Sequence, residues 1–478
     1  MKSLIGKKWV DSADGKVIEV YNPATNELID TVPSLTKEQV DEAVAEAKNA
    51  QKAWENVPLH KRGEILMEFA RLVKRDRESL AKTLSDETGK PIKEALAEID
   101  NIQIGVPAYV EKAKHDYGNV IYRGTEAGQE NTIQYTIQQP LGVMVAIIPF
   151  NFPSDIFINK IPPALIMGNS CILKPASVNP LTLTKYVELL KESGIPDGVI
   201  QVVHGSGGVV GTALTSNPDV AIVSLTGSTE AGIDAAQRVV EHCGHSSLEL
   251  GGNDAFIICA DGDLDLAVNE TVWGRLYNTG QVCCASKRFL VEKSIKDEYI
   301  KKMVEKIKTL KVGMPSEMST DIGCLVSEEA AIEVERQVNE TVAAGAKIVI
   351  GGKRNGAFYE PTIIDNITKD MDVAKDMEIF GPVISVIGFD TIEEAIEIAN
   401  QSKFGLSGGI ITRDTSKALK VSEAMECGGF VVNGASFFRS FEQPFGGWKY
   451  SGIGNEGIMT TLREMSRTKT VILKNIMK

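Results

Sequence analysis

Several features that mark membrane, secreted and nucleic-acid-binding proteins are missing from this 478-residue chain. No apolar run approaches the ~18 to 20 residues that a membrane-spanning helix needs. The lysines near the first residue are not followed by the apolar stretch of a secretory signal. A formal charge of −13 argues against nucleic acid or an anionic membrane surface as the main partner. We therefore expect a cytoplasmic protein without a membrane or nucleic-acid partner.

Cysteine and histidine are also scarce, with seven and five residues respectively. An odd number of cysteines in a chain without a signal fits a reducing compartment rather than a disulfide framework. No Cys-x-x-Cys pair occurs, and the cluster His242-Cys243-Gly244-His245 offers three ligands without the second half of a zinc site. We interpret this cluster as a polar loop before a strand and expect no metal.

The remaining composition, 43% hydrophobic and 24% charged residues, is typical of a globular protein of roughly three domains. Near the start of the chain, Thr36 and Gln39 form a capping box that predicts a helix to about Trp54. Apolar residues at helical spacing predict two further helices, at about 61–87 and 92–115. We interpret all three as packing helices without chemistry.

A hairpin is predicted where residues 120–122 and 132–137 alternate apolar and polar around the turn-like segment 124–128. The last segment, 469–474, also has the pattern of a strand, and a strand at the end of a chain needs a pairing partner. Together they predict an arm that contacts another subunit, in a homodimer or homotetramer.

From Gly142 onward, strand-like and helix-like segments alternate. Residues 143–148 are fully apolar, as in a parallel strand buried on both faces. The other expected strands are 171–174, 199–203, 221–225, 247–250, 255–259, 288–291 and 347–351. This alternation is typical of doubly wound parallel sheets, which bind ligands at the carboxyl ends of their strands.

Two glycine turns follow predicted strands and open helices. Gly205–Gly211 is similar to a dinucleotide fingerprint, but its glycine spacing is off by one and no acidic residue ends the next strand. In the second turn, Thr226–Glu230, Ser228 is a good N-cap, and the free N–H groups of a helix start suit a pyrophosphate. Either turn could instead simply cap its helix.

Two adjacent cysteines, Cys283 and Cys284, lie in a short polar segment between a predicted helix and strand. Loops between regular elements often carry reactive groups, and a thiolate is a strong nucleophile. The alternative is that both thiols pack as small apolar groups, as free cysteines often do.

Seven stretches at these strand ends and turns, taken in order, match one known family. They are Pro149-Phe150-Asn151-Phe152-Pro153, Leu173-Lys174-Pro175-Ala176, Leu225-Thr226-Gly227-Ser228-Thr229-Glu230, Leu248-Glu249-Leu250-Gly251-Gly252, Gly280-Gln281-Val282-Cys283, Glu378-Ile379-Phe380-Gly381-Pro382-Val383 and Pro444-Phe445-Gly446-Gly447. Over nearly its full length the chain resembles the aldehyde dehydrogenase superfamily.

The resemblance implies roles for three catalytic residues. Cys283 matches the nucleophile that attacks the aldehyde to form a thiohemiacetal and, after hydride loss, a thioester; Cys284 is then a packing neighbour. Asn151 matches the residue that stabilises the oxyanion together with the Cys283 backbone N–H. Glu249 matches the general base that activates water. The alternative for Glu249 is a strand-end carboxylate satisfied by backbone donors.

The resemblance also implies a site for NAD or NADP. Lys174 matches the residue that holds the adenosine ribose, and Gly227 and Ser228 match the helix start that binds the pyrophosphate. Glu378 matches the residue that hydrogen-bonds the nicotinamide ribose, with Phe380 beside the ring. The alternative for Glu378 is a solvated charge.

Two positions depart from the family pattern. Members that prefer NAD often have a glutamate three residues after the lysine, and this chain has Ser177, which would not repel a 2′-phosphate. We therefore expect that NADP is accepted and preferred. After the final glycine turn, Pro444-Phe445-Gly446-Gly447, Asn455 replaces a common arginine, and we assign it no role.

Arg439 is the candidate for substrate recognition, because it lies just before the final glycine turn, near where the family lines its substrate tunnel. It could meet a carboxylate, phosphate or hydroxyl of the aldehyde, or form a surface or interface ion pair. The loop resembles members that act on lactaldehyde, glyceraldehyde phosphate or succinate semialdehyde.

The expected protein is an α/β enzyme with a Rossmann-like parallel-sheet cofactor domain, an α/β catalytic domain and a small β oligomerisation arm. Residues 1–118 and 141–251 form the predicted NAD(P)-binding domain and 252–445 the catalytic domain. Residues 119–140 and 446–478 form the arm and C-terminal segment.

The expected reaction oxidises an aldehyde to a carboxylic acid. The alternatives are a CoA-acylating enzyme, which the presence of Glu249 disfavours, and a non-catalytic binding protein, which the presence of all three catalytic residues disfavours.

Overall fold

The computed structural model describes residues 1–116 and 118–475. Tyr117, in the predicted cofactor domain, and residues 476–478, in the predicted C-terminal segment, lie outside the described residues. Within the described ranges, no helix is long and apolar enough to cross a membrane. The helices are α1 (Lys37–Trp54), α2 (Leu59–Arg75), α3 (Arg77–Thr88), α4 (Ile92–Asp100), α5 (Ile102–Ala113), α6 (Pro153–Ile166), α7 (Leu181–Glu192), α8 (Thr212–Thr215), α9 (Thr229–Val240), α10 (Leu264–Leu276), α11 (Lys296–Ile307), α12 (Glu328–Ala343), α13 (Ile392–Asn400), α14 (Thr415–Ala424) and α15 (Ile458–Glu464).

The strands form two large sheets and several small ones. They are β1 (Ser3–Ile5), β2 (Lys8–Val10), β3 (Val17–Tyr21), β4 (Leu28–Pro33), β5 (Val120–Ile121), β6 (Thr132–Pro140), β7 (Val143–Ile148), β8 (Ser170–Pro175), β9 (Ile200–Val202), β10 (Val220–Thr226), β11 (His245–Glu249), β12 (Asp254–Ile258), β13 (Ser286–Glu292), β14 (Lys347–Ile350), β15 (Arg354–Asn355), β16 (Phe358–Tyr359), β17 (Thr362–Ile367), β18 (Val383–Phe389), β19 (Phe404–Gly405), β20 (Ser407–Ile411), β21 (Gly429–Val432), β22 (Trp448–Lys449), β23 (Gly452–Ile453) and β24 (Ser466–Lys474).

The first large sheet has the strand order β2-β1-β9-β8-β7-β10-β11-β23. Its central strands β9, β8, β7, β10 and β11 are parallel, and β23 closes one edge in antiparallel orientation. The middle strand β7 is wholly apolar and its neighbour β8 is buried along its length, because helices cover both faces. Two apolar clusters fill the space between helices and sheet. The carboxyl ends of these strands form the edge that carries the candidate site.

The second large sheet has the order β14-β17-β18-β13-β12-β20-β21 and is parallel except for β14 at its edge. Its two faces are covered by separate apolar clusters. The prediction of an α/β fold with parallel sheets is confirmed. The predicted domain boundaries stay a prediction.

The predicted hairpin strands pair, since β5 lies antiparallel to β6, and β6 pairs along its whole length with the C-terminal strand β24. The three strands form their own sheet and leave Val120, Tyr122 and Ile472 strongly exposed. The assembly of this arm with another subunit stays a prediction.

Two of the predicted helices are each divided in the structure. The helix expected at 61–87 breaks at Asp76, and the one expected at 92–115 breaks at Asn101. Aspartate and asparagine favour helix ends because their side chains compete for hydrogen bonds. At the second break these side chains form hydrogen bonds with distant residues: Asp100 accepts from Arg77, and Asn101 donates to Asp155 at 2.9 Å.

Candidate active site

The predicted site residues come together where the first sheet faces the second. Asn151 follows β7, Lys174 lies in β8, Ser228 follows β10 and Glu249 ends β11. Cys283 comes from the other side, in the turn before β13. A cavity of about 560 Å³ runs between the sheets and is lined by Asn151, Lys174, Ser228 and Cys283, among others. The topology therefore places the candidate nucleophile at one end of a cleft along the strand ends.

The segment before Cys283 has an unusual backbone. Asn278, Thr279 and Gly280 all have positive φ, at 50°, 55° and 77°. Left-handed conformations cost energy in residues other than glycine and persist only where the surroundings hold them. Here the Asn278 N–H donates to Glu94 at 2.8 Å, and a Cβ at Gly280 would lie 2.2 Å from the Gly381 carbonyl oxygen. The turn that presents Cys283 is therefore held from both sides.

The environment of Cys283 favours a thiolate. A hydrogen bond from the Cys284 thiol lowers the pKa of Cys283 to about 7, with support from the charges of Lys287 and Arg439 and against the effect of burial. The same hydrogen bond and burial raise the pKa of Cys284 well above its usual range. Cys283 is partly exposed and lines the cavity, whereas Cys284 is buried in a small apolar cluster. The two thiols thus have different environments, and only Cys283 has that of a nucleophile.

Asn151 is buried beside Cys283 at the cavity wall. Its backbone carbonyl accepts hydrogen bonds from Lys90 Nζ at 2.8 Å and from Asn278 Nδ2 at 2.9 Å. Lys90 is itself paired with the buried carboxylate of Glu98. These contacts tie the backbone of Asn151 to the turn that carries Cys283.

Glu249 is buried, and its Oε2 atom has no hydrogen-bond partner among the described residues. Burial, reinforced by the negative charge of Glu456, raises the pKa of Glu249 well above its usual range. The alternative raised from the sequence, a strand-end carboxylate held by backbone donors, would give this oxygen a hydrogen-bond partner. Because its Oε2 atom has no partner among the described residues, the carboxylate is instead available to accept a proton, as a general base requires.

The cleft leading away from Cys283 has groups that suit a nicotinamide dinucleotide. Ser228 caps α9, with its Oγ accepting from the Ala231 N–H at 3.3 Å, which confirms the predicted N-cap and leaves a helix start facing the cavity. The Oγ1 atom of Thr226 is buried and has no hydrogen-bond partner in the part of the chain that the structure describes. Burial lowers the pKa of Lys174 to about 8, and among the described residues its ammonium donates only to the Pro175 carbonyl, at 3.3 Å. The residues present therefore fit the dinucleotide.

Glu378 lies at the Cys283 end of the same cleft. Its Oε1 atom is 3.1 Å from Lys287 Nζ and accepts from the Gly252 N–H at 3.3 Å. A Cβ at Gly251 would lie 2.5 Å from the Glu378 carboxylate, so this close approach requires glycine. Phe380 lines the cavity in edge contact with Phe150. The alternative of a freely solvated carboxylate does not describe Glu378.

The first glycine turn lies beside the other end of the cleft. Gly207–Gly211 forms a short π-helical turn capped by Ser206, and a Cβ at Gly211 would lie 3.9 Å from Lys174 Cε. Ser177 is half-buried, and its hydroxyl donates to the Gly205 carbonyl at 3.3 Å. The serine thus contacts this turn and carries no negative charge.

Arg439 makes an ion pair inside the protein. Its Nη2 atom is 2.6 Å from Glu456 Oε2, and its guanidinium lies 4.0 Å from the centre of the Phe445 ring. Glu456 also contacts Lys160 Nζ at 3.0 Å, and Lys160 donates to Ser224 at 2.9 Å. Lys160 and Glu456 were not identified from the sequence. The available signal was Lys160 itself, the one basic residue in the largely apolar helix α6.

An aromatic cluster on the side of Cys283 away from the cleft was also missed. Phe152 stacks on Tyr277, and Phe437 contacts Phe152, Tyr277 and Trp273. Phe152 and Phe437 pack with Cys283 and Phe445 in one apolar cluster. The side of the sulfur away from the cleft therefore has aromatic walls, and Arg439 contacts one of them, Phe445.

Metal ligation finds no support in the part of the chain that the structure describes, where no group of three or more His, Cys, Asp or Glu side chains is arranged to hold an ion. In the sequence cluster singled out above, His245 instead contacts Glu464.

Comparison with known proteins identifies relatives along the whole chain. The sequence profile of the aldehyde dehydrogenase family matches residues 9–471. A lactaldehyde dehydrogenase from Methanococcus maripaludis is 36% identical over 99% of this chain and 100% of its own length. A 3-sulfolactaldehyde dehydrogenase from Priestia aryabhattai is 37% identical over 98% of this chain and 97% of its own length.

Solved structures agree with the sequence relatives. An NADP-dependent enzyme from E. coli has a TM-score of 0.95 and 34% identity, covering 99% of this chain and 98% of its own. A betaine aldehyde dehydrogenase from Staphylococcus aureus, in complex with NAD⁺, has a TM-score of 0.95 and 33% identity, covering 99% and 95%. The likeness extends over both large sheets and the cleft between them.

Proposed function

The chain belongs to the aldehyde dehydrogenase family, and we propose that it oxidises a small polar aldehyde through a covalent intermediate on Cys283. It is an NAD(P)-dependent aldehyde oxidoreductase. The observation that carries the proposed mechanism is the placement of Cys283, with its pKa lowered to about 7, beside Asn151 at the end of the dinucleotide cleft.

In the first step the Cys283 thiolate adds to the aldehyde carbon. The new bond is S–C, and the carbonyl π electrons move to the oxygen, which becomes an alkoxide. The Asn151 side-chain amide and the Cys283 backbone N–H donate to this oxygen. Hydrogen bonds aimed at developing charge are worth more in the transition state than in the ground state, which is why they accelerate the step.

The dinucleotide would be held by Lys174, Gly227, Ser228 and Glu378, and Phe380 would lie beside its nicotinamide ring. When bound, its nicotinamide supplies the acceptor for the hydride that leaves the thiohemiacetal carbon. The thioester that remains is on Cys283. Glu249 then takes a proton from a water molecule as that water adds to the thioester carbon. The S–C bond breaks, the carboxylic acid leaves, and Cys283 returns to the thiolate.

NADP is the proposed preferred cofactor. At the position where a carboxylate would repel the 2′-phosphate, this chain has the uncharged Ser177. The similar E. coli structure is described as an NADP-dependent enzyme, which supports the proposal, although the S. aureus relative binds NAD⁺.

The relatives support a small polar aldehyde as substrate, since two of them act on lactaldehyde and 3-sulfolactaldehyde. Succinate semialdehyde and glyceraldehyde phosphate remain candidates within the class of small polar aldehydes. We further propose a cytoplasmic homodimer or homotetramer, assembled through the sheet of β5, β6 and β24.

A CoA-acylating reaction is disfavoured because it would not need Glu249 as a base. A pure binding role is disfavoured because Cys283 and Asn151 are both present.

The test uses the purified chain with a panel of aldehydes and either NAD or NADP, following nicotinamide reduction with and without CoA. We expect reduction without CoA, loss of activity in Cys283→Ser, and retained activity in the matched variant Cys284→Ser. Reduction only with CoA would favour the acylating reaction. Equal activity of Cys283→Ser and wild type would refute the proposed nucleophile.

A further inference from the structure

We propose that the aldehyde side of the site selects substrates with uncharged polar substituents, because Glu456 neutralises the arginine that would otherwise attract an anion. This inference rests on the proposed function and names the class of aldehyde that it takes. The relatives differ in the charge of the substrate that their names give, since lactaldehyde is uncharged and 3-sulfolactaldehyde carries a sulfonate.

The contact between Arg439 and Glu456 is built by the final glycine turn. Phe445 and Glu456 exchange two backbone hydrogen bonds of 2.7 Å, which close the turn and bring the segment before it against the segment after it. Glu456 is buried, and its two oxygens are taken by Arg439 at 2.6 Å and by Lys160 at 3.0 Å. Arg439 is further held by its contact with the Phe445 ring.

Arg439 is nevertheless close to the reacting groups. Its charge contributes to lowering the pKa of Cys283 and opposes the upward shift at Glu249. Phe445, which it covers, packs in the same cluster as Cys283. An aldehyde bound to Cys283 on the side away from the cofactor cleft therefore meets Arg439.

The local charges balance without a substrate anion. Lys287 and Glu378, which also act on Cys283, pair with each other at 3.1 Å and cancel. Lys160 and Arg439 are positive, and Glu456 is ionised, since these two cations outweigh burial and lower the pKa of Glu456. A Cys283 thiolate supplies the second negative charge. A carboxylate, phosphate or sulfonate on the aldehyde would add a third negative charge to a largely buried site, next to Glu456 and Glu249. Uncompensated buried charge is costly, so such a substrate is disfavoured.

A hydroxyl substituent meets no such obstacle. The guanidinium has five N–H donors in a fixed plane, and its contact with Glu456 uses Nη2, which leaves donors for a neutral oxygen. Arg439 thus acts as a hydrogen-bond donor to the substrate rather than as a receptor for an anion. Short 2-hydroxyaldehydes are the class that this arrangement fits best.

The experiment compares kcat/KM for L-lactaldehyde and succinate semialdehyde, each at saturating NADP. We expect the wild type to prefer lactaldehyde by about tenfold or more, corresponding to ~1.4 kcal/mol. Glu456→Gln keeps an acceptor for Arg439 but frees its charge, so the preference should fall by about tenfold. Glu442→Gln removes an exposed acid from the same loop and is the matched control that should leave the ratio unchanged.

A wild type that prefers succinate semialdehyde, or a ratio unchanged by Glu456→Gln, would overturn the inference while leaving the proposed function intact. Failure of the wild type to oxidise any aldehyde would instead refute the proposed function. If Glu456→Gln does not fold, as judged by circular dichroism, Arg439→Met decides the question. We expect its kcat/KM for lactaldehyde to fall more than that for succinate semialdehyde, because the donor to the hydroxyl is lost. A larger fall for succinate semialdehyde would show that Arg439 receives an anion and would contradict the inference.

Discussion

Replacing Cys284 by alanine should raise the pKa of its neighbour Cys283. In the structure the largest influence on the Cys283 sulfur is the hydrogen bond from the Cys284 thiol, which lowers its pKa to about 7. A hydrogen bond to a charged group is worth about 1.5 to 3 kcal/mol, and a thiol is a weak donor, so we take about 1.4 kcal/mol for this one. That energy corresponds to a rise of about one pH unit in the pKa.

The thiolate fraction of Cys283 at pH 7 should then fall from about a half to about a tenth, so alkylation by iodoacetamide should slow roughly fivefold. Above pH 9 wild type and variant should react at nearly the same rate. The measurement is the rate of alkylation against pH, followed on the Cys283 peptide by mass spectrometry because Cys243 is also exposed.

Cys284→Ser is the matched variant, since its hydroxyl is a stronger donor and should keep the pKa near that of the wild type. Cys427→Ala, a substitution outside the small apolar cluster of the two thiols, controls for general effects of losing a cysteine. If Cys284→Ala leaves the pH profile of Cys283 in place, the Cys284 thiol does not stabilise the thiolate, and Lys287 and Arg439 must carry the effect instead.

Three other substitutions test the remaining roles. Ser177→Glu should lower kcat/KM for NADP and spare NAD, because its carboxylate repels the 2′-phosphate; steady-state kinetics with both cofactors checks this, and unchanged NADP use would contradict it. Asn151→Ala should lower kcat by ~10²- to 10³-fold with little change in cofactor affinity, as expected for a lost oxyanion donor. Glu249→Gln should release about one equivalent of reduced cofactor in a burst and then slow by ~10²- to 10⁴-fold, because water is no longer activated; an undiminished steady state would exclude Glu249 as the base.

The repeating local patterns of the chain could be interpreted correctly from the sequence. The apolar run at β7 predicted a buried parallel strand, and Ser228 predicted the cap of α9, because both signals depend on residues a few positions apart. The same holds for the capping box at Thr36, which the structure also contains. The order of the motifs along the chain then indicated the family, which the comparisons confirm.

Contacts between distant segments could not be predicted in this way, because no local spacing encodes them. The strand β23, which follows the final glycine turn, pairs with β11 and sets Gly452 opposite Glu249. The two strands are so close that a Cβ on Gly452 would lie 2.4 Å from the Leu248 carbonyl oxygen. This pairing brings Glu456 close enough to raise the pKa of Glu249. The sequence alone therefore determined which residue types stand at the strand ends, including Cys283. Only the tertiary structure decided how their charges act on one another, since those effects depend on burial and on distances across the two sheets.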